Sequence, residues 1–120
     1  MADDRPRIYH NPRCSKSRET LQILEQQDTA PEIVEYLQTP PDADELRQII
    51  ALLGVPAREL LRDGEDAYRE AGLDAKDLDD EEVVIKAILD YPILLQRPIV
   101  ISAGRAVIGR PPSRVLDIIG

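Results

Sequence analysis

Arg7-Ile8-Tyr9-His10-Asn11-Pro12-Arg13-Cys14-Ser15-Lys16-Ser17-Arg18 is the stretch whose reading decides the fold. Arg7 to His10 reads as a short strand. Pro12 biases Asn11 away from helical angles and ends it. A periodic stretch from about Ser15 to Gln27 follows, with Leu21, Ile23 and Leu24 as its apolar residues, and Asp28-Thr29-Ala30-Pro31 breaks it. Glu32 to Leu37 reads as a second strand, rich in β-branched and aromatic residues. Strand, helix and strand close within about 30 residues, the size of a βαβ unit with parallel strands.

Working outward, Thr39-Pro40-Pro41-Asp42 is a break followed by a helix start. Leu46, Ile49, Ile50 and Leu53 then fall at i, i+3, i+4 and i+7, and Gly54 ends the run. Short helices are expected at Arg58–Arg62 and Asp66–Ala71. Asp79 or Asp80 can cap a further helix bearing Val83, Val84, Ala87 and Ile88. Residues 40–91 therefore read as an all-helical insertion. Pro98–Ser102 and Arg105–Ile108, joined by a tight turn at Ala103-Gly104, form a hairpin, and Pro111-Pro112-Ser113 starts a last short helix. The order β-α-β, helical insertion, β-β-α is that of an α/β, thioredoxin-like fold with a mixed four-stranded sheet, in one domain over residues 1–120. That fold expects a reactive cysteine at the start of its first helix, where Cys14 stands. It also expects a proline before the third strand, commonly cis, for which Pro98 is the candidate.

The chain has 120 residues, 42% hydrophobic and 32% charged, as in a soluble globular protein that buries a core without metal or disulfide staples. With no Phe or Trp and four Tyr, that core must be aliphatic. A net charge of −8 argues against nucleic-acid binding, which needs a broad basic face. No apolar run approaches the ~18 residues of a membrane helix. Met1-Ala2-Asp3-Asp4 has no signal-peptide character. A single cysteine suits a reducing compartment, so a cytoplasmic location is expected, with a monomer as the default.

Against this acidic background, residues 13–18 carry three positive charges and no negative one. Basic neighbours and a helix start favour a thiolate over a thiol and can hold an oxyanion beside it. Ser17 makes the motif C-x-x-S, so no second thiol is available to resolve a disulfide within the chain. Any redox chemistry at Cys14 needs an external thiol. A tyrosine-phosphatase loop would want arginine six positions after the cysteine, where Thr20 stands. One Cys and one His cannot supply the ligands of a metal site.

The segment Ile8–Arg18 closely resembles the active-site segment of the glutaredoxin-linked arsenate reductases, a family of the thioredoxin-like superfamily. The match continues in Leu60-Leu61-Arg62, in Pro92–Val100 and in Gly109-Arg110-Pro111. The resemblance implies that Cys14 is the nucleophile and that Arg62, Arg97 and Arg110 surround the arsenic-bearing oxyanion. It implies that His10 tunes the ionisation of the cysteine. Asn11, Ser15, Ser17 and Arg18 are candidates to bind the thiolate or substrate. It also implies arsenate as substrate, no bound cofactor, glutathione as co-substrate and glutaredoxin as protein partner. Two other readings stand beside this one. One is a glutathione-dependent thiol oxidoreductase of another substrate. The other is a redox-responsive regulator binding RNA polymerase, which would typically carry C-x-x-C.

Overall fold

The computed structural model describes residues 5–27, 29–62, 66–74, 77–96 and 98–119. Strand β1 (Arg7–His10) takes an interior place in a four-stranded sheet ordered β2-β1-β3-β4. Its three last residues are buried, so both faces must be covered. Helix α1 (Ser15–Gln26) returns the chain to β2 (Glu32–Glu35), which pairs with β1 in parallel, Arg7 opposite Glu32 and His10 opposite Glu35. Strand β2 stops two residues earlier than its apolar pattern suggests. The Gln38 and Thr39 N–H groups both turn back to the Glu35 carbonyl, at 2.9 Å each, and a turn replaces further pairing.

Strands β3 (Ile99–Ser102) and β4 (Arg105–Ile108) form the expected hairpin, with β3 antiparallel to β1. Ala103 and Gly104 both have positive φ, 51° and 77°, the geometry that matches the right-handed twist of the flanking strands. The final segment, Pro112–Asp117, is a 3₁₀ rather than an α-helix. It packs on α1, and Val115 and Ile118 join Ile8, Leu24 and Val100 in one aliphatic cluster. The element order and mixed sheet are those of a thioredoxin-like fold.

The chain forms two compact units, Met1–Thr39 with Arg97–Gly120, and Pro40–Gln96. In the second unit, α2 (Ala43–Leu53) starts where the Asp42 carboxylate accepts the Glu45 N–H at 2.8 Å, and ends at Gly54 with φ 65°. Helix α3 covers Asp66–Glu70, and α4 (Glu81–Asp90) is capped by Asp80 and packs on α2. The short helix expected at Arg58–Arg62 is cut down to a 3₁₀ turn, Ala57–Leu60. Leu61 instead forms an antiparallel bridge with Leu95. The Arg62 N–H reaches the Leu94 carbonyl at 2.8 Å and the Gln96 N–H reaches the Leu60 carbonyl at 2.6 Å. A segment distant in sequence thus satisfies backbone groups that a continued helix would have paired locally.

The Arg97–Pro98 bond, the expected cis site, falls outside the described residues. The cis peptide bond among the described residues is Arg110–Pro111. Just before it, Gly109 allows a close approach. A Cβ there would lie 2.7 Å from Thr20 Oγ1 of α1 and 2.8 Å from Pro98 Cγ. Thr20 is fully buried and its hydroxyl donates to the Lys16 carbonyl at 2.8 Å, so it has little room to yield. Gly109→Ala is expected to destabilise the protein by about 1–3 kcal/mol through overpacking. An unchanged urea midpoint and m-value would show that the contact is loose.

Candidate active site

The site begins where β1 hands the chain to α1. The Asn11 carbonyl accepts the Cys14 N–H at 2.9 Å, and the Asn11 side-chain Oδ1 accepts the Arg13 N–H at 3.0 Å. This turn delivers Cys14 to the N-cap of α1 in an extended conformation, φ −97° and ψ 123°. The Cys14 carbonyl accepts the Arg18 N–H at 3.0 Å, the first bond of the helix. The Cys14 side chain makes no capping bond to α1 and is partly exposed. The sulfur thus sits at the positive end of a 12-residue helix without being consumed by the cap.

Beneath the turn lies a buried polar cluster. Ser17 is fully buried, and its Oγ accepts the Asn11 N–H at 3.0 Å. A single proton lies between the same oxygen and His10 Nδ1, 2.6 Å away. One hydroxyl on the first turn of α1 therefore binds the last residue of β1 and the first residue of the loop. Burial pushes the His10 imidazole below the ordinary histidine range. Glu35 draws it back upward and Arg18 pushes it further down, both as smaller effects. A neutral ring suits a site where Ser17 already occupies one nitrogen.

Positive charge beside the sulfur comes from the other end of the chain. The Arg110 guanidinium Nη2 donates to Cys14 Sγ at 3.9 Å, across 96 positions of sequence. The route is short and constrained. The Gly109 N–H bonds the Pro98 carbonyl, the missing Cβ of Gly109 lets the chain pass against α1, and Arg110 follows at once. Against a thiolate, a full charge at this distance is worth about 4 kcal/mol of gross Coulomb attraction at an effective dielectric of 20, reduced by solvent at a partly buried position.

The remaining residues singled out in the sequence are placed as follows. Asn11 is buried within the loop, whereas Ser15 and Arg18 are exposed. Arg18 donates to the Pro12 carbonyl at 3.0 Å and so ties the loop to the helix. Ser17 meets His10 and Asn11 rather than lying open to solvent. Arg62 belongs to the second unit, partly buried beside the Leu61–Leu95 bridge. Arg97 lies outside the described residues. Sequence reasoning did not single out Gly109 as a spacer or Glu35 as a neighbour of His10. Register in the predicted βαβ unit places Glu35 opposite His10 and was the available signal for the second. Among the described residues no group of three or more His, Cys, Asp or Glu side chains could hold a metal ion, and no helix is long and apolar enough to cross a membrane.

A lone cysteine at the N-cap position of the first helix of a thioredoxin-like fold, with an arginine at its sulfur, defines a class of single-thiol domains. The chain belongs to the ArsC family, whose model matches residues 9–118. It is 53% identical to the uncharacterised protein YfgD of Escherichia coli, over 95% of this chain and 96% of that one. It is 50% identical to an arsenate reductase of Neisseria meningitidis, over 88% of this chain and 90% of that one. Among solved structures, an arsenate reductase from Vibrio cholerae aligns with a TM-score of 0.90 at 41% identity, covering 98% of this chain and all of that one.

Two outcomes follow from the buried cluster. Ser17→Ala strands the Asn11 N–H and one His10 nitrogen, and is expected to cost about 1–3 kcal/mol in urea unfolding. Equal midpoints would mean that the hydroxyl holds nothing. The second concerns pH. His10 has a lowered pKa when folded, so below the unfolded value of about 6.5 the unfolded chain binds a proton that the folded chain refuses. Its share of stability is intact above that pH and is lost as pH falls toward the folded value. Thermal melts at pH 7.5 and 5.5 should show wild type losing more stability than His10→Gln. Parallel losses would show that His10 titrates as it does in the unfolded chain.

Proposed function

We propose that this protein is an arsenate reductase that works through a covalent Cys14–arsenic intermediate, with glutathione and glutaredoxin as reductants. The observation that carries the reading is the Arg110 guanidinium at 3.9 Å from Cys14 Sγ, a cation beside a nucleophile at a helix N-terminus. Relatives that are named arsenate reductases, at 50% and 45% identity over most of the chain, support it.

The physical problem is charge. Arsenate is an anion and repels a thiolate. Arg110 neutralises oxygen and sulfur together, and a guanidinium fork fixes the orientation of the oxygens. The family resemblance adds Arg62 and Arg97 as further cations for the same oxyanion. Cys14 thiolate attacks arsenic, and one arsenate oxygen leaves as water after taking up protons. Glutathione thiol displaces a second oxygen in the same way. Reduction from As(V) to As(III) needs an electron pair, and a chain with one cysteine cannot supply it from a dithiol of its own. Glutaredoxin thiol and the bound glutathione provide that pair and leave joined as a mixed disulfide. Arsenite then hydrolyses from Cys14. Such a cascade places the protein in a reducing, cytoplasmic compartment and requires no bound cofactor.

Arsenite formation from arsenate with glutathione and glutaredoxin tests the reading. Cys14→Ser is expected to abolish it, and Arg110→Ala to lower kcat/KM by about 10²-fold, the usual loss for one oxyanion donor. Arsenite production by Cys14→Ser at the wild-type rate would remove the covalent mechanism.

A further inference from the structure

Next to the nucleophile, on the β2 side, the first unit carries a cleft of about 240 Å³. Residues 10–13 of the β1–α1 junction line it from one element, and Glu35, Leu37 and Gln38 from the end of β2 and the turn beyond. Its chemistry is that of a zwitterion site. Arg13 brings a cation and Glu35 an anion, both on exposed residues. Leu37, 43% exposed, adds an apolar edge, and Gln38 adds an amide that can both donate and accept.

The two charges remain available. At the other end of the same strand pair, Arg7 and Glu32 face each other in register and close an ion pair at 3.0 Å. At the cleft end, Glu35 faces His10 in register, and neither Glu35 nor Arg13 enters an ion pair with another described residue. Size limits the occupant. Pockets that enclose whole small ligands begin at about 300 Å³, so this cleft suits one end of a small peptide.

We propose that the cleft seats the γ-glutamyl end of glutathione, with Glu35 receiving its ammonium and Arg13 its carboxylate. This rests on the reading of the protein as a glutathione-using reductase and assigns a place to the co-substrate. The position serves that chemistry. Arg13 directly precedes Cys14, and Asn11, which lines the cleft, accepts the Cys14 N–H at its carbonyl at 2.9 Å. A glutamyl head anchored there tethers its own thiol a few bonds from the arsenic on Cys14, and turns a bimolecular attack into a local one.

Non-reactive S-methylglutathione tests the site without any turnover. Amide shifts in the full-length protein should move saturably at residues 11–14 and 35–38. S-methyl-cysteinylglycine, which lacks the γ-glutamyl head, should bind at least fivefold more weakly, and Glu35→Gln and Arg13→Ala should each weaken S-methylglutathione by about fivefold. Equal affinity for the two ligands, shifts confined to other residues, or unchanged binding by both variants would overturn the proposal. The arsenite assay reads the other question. A protein that shows this binding but makes no arsenite keeps the cleft and loses the reductase reading. One that makes arsenite with glutathione while failing the binding test loses the cleft alone.

Discussion

The Ser17 hydroxyl is the joint on which the site is built. It sits on the first turn of α1, fully buried, and takes the Asn11 N–H while sharing a proton with His10 Nδ1. Strand β1 and helix α1 are thereby bound at their meeting point by one oxygen. A buried polar atom left unsatisfied costs more than a made bond contributes, so the arrangement is all or nothing. The turn that holds Cys14 at the N-cap is closed above this joint by the Asn11 carbonyl and side chain.

The second constraint is steric. Gly109 passes so near Thr20 and Pro98 that a Cβ there would lie 2.7 Å and 2.8 Å from their side chains. That contact brings the end of β4 onto α1 and sets Arg110 at the Cys14 sulfur. Charge is organised locally in an otherwise acidic protein. The net charge is −8, yet the neighbourhood of the sulfur holds a helix N-terminus and a guanidinium. His10, its charged form opposed by burial, contributes a hydrogen bond instead.

Much of this was legible from residues alone, because the signals were local. Asn11-Pro12 ended β1, Gly54 and the Asp79-Asp80 pair marked helix ends, and Ala103-Gly104 marked the hairpin. Misreadings came where a competing backbone hydrogen bond overrode the apparent propensity. Leu60-Leu61-Arg62 has a helical look, but Leu61 left the helix to pair with Leu95. Tyr36-Leu37 has strand character, but the Glu35 carbonyl drew the following N–H groups into a turn. The spacing that made Ser17 a candidate partner for thiolate or substrate did not show that its hydroxyl also joins His10 and Asn11 below the loop.

By itself the sequence determined the class of chemistry. One cysteine at a strand-to-helix junction, followed by Ser17, leaves any redox chemistry at Cys14 to an external thiol, because no second cysteine exists in the chain. Hydrophobic periodicity and turn residues likewise determined the βαβ start and the hairpin. Tertiary structure alone decided which cation meets the sulfur and what the buried hydroxyl holds. Those outcomes depend on close approach between segments nearly a hundred residues apart, and on which donors burial leaves to be paired. Neither is written in any local pattern.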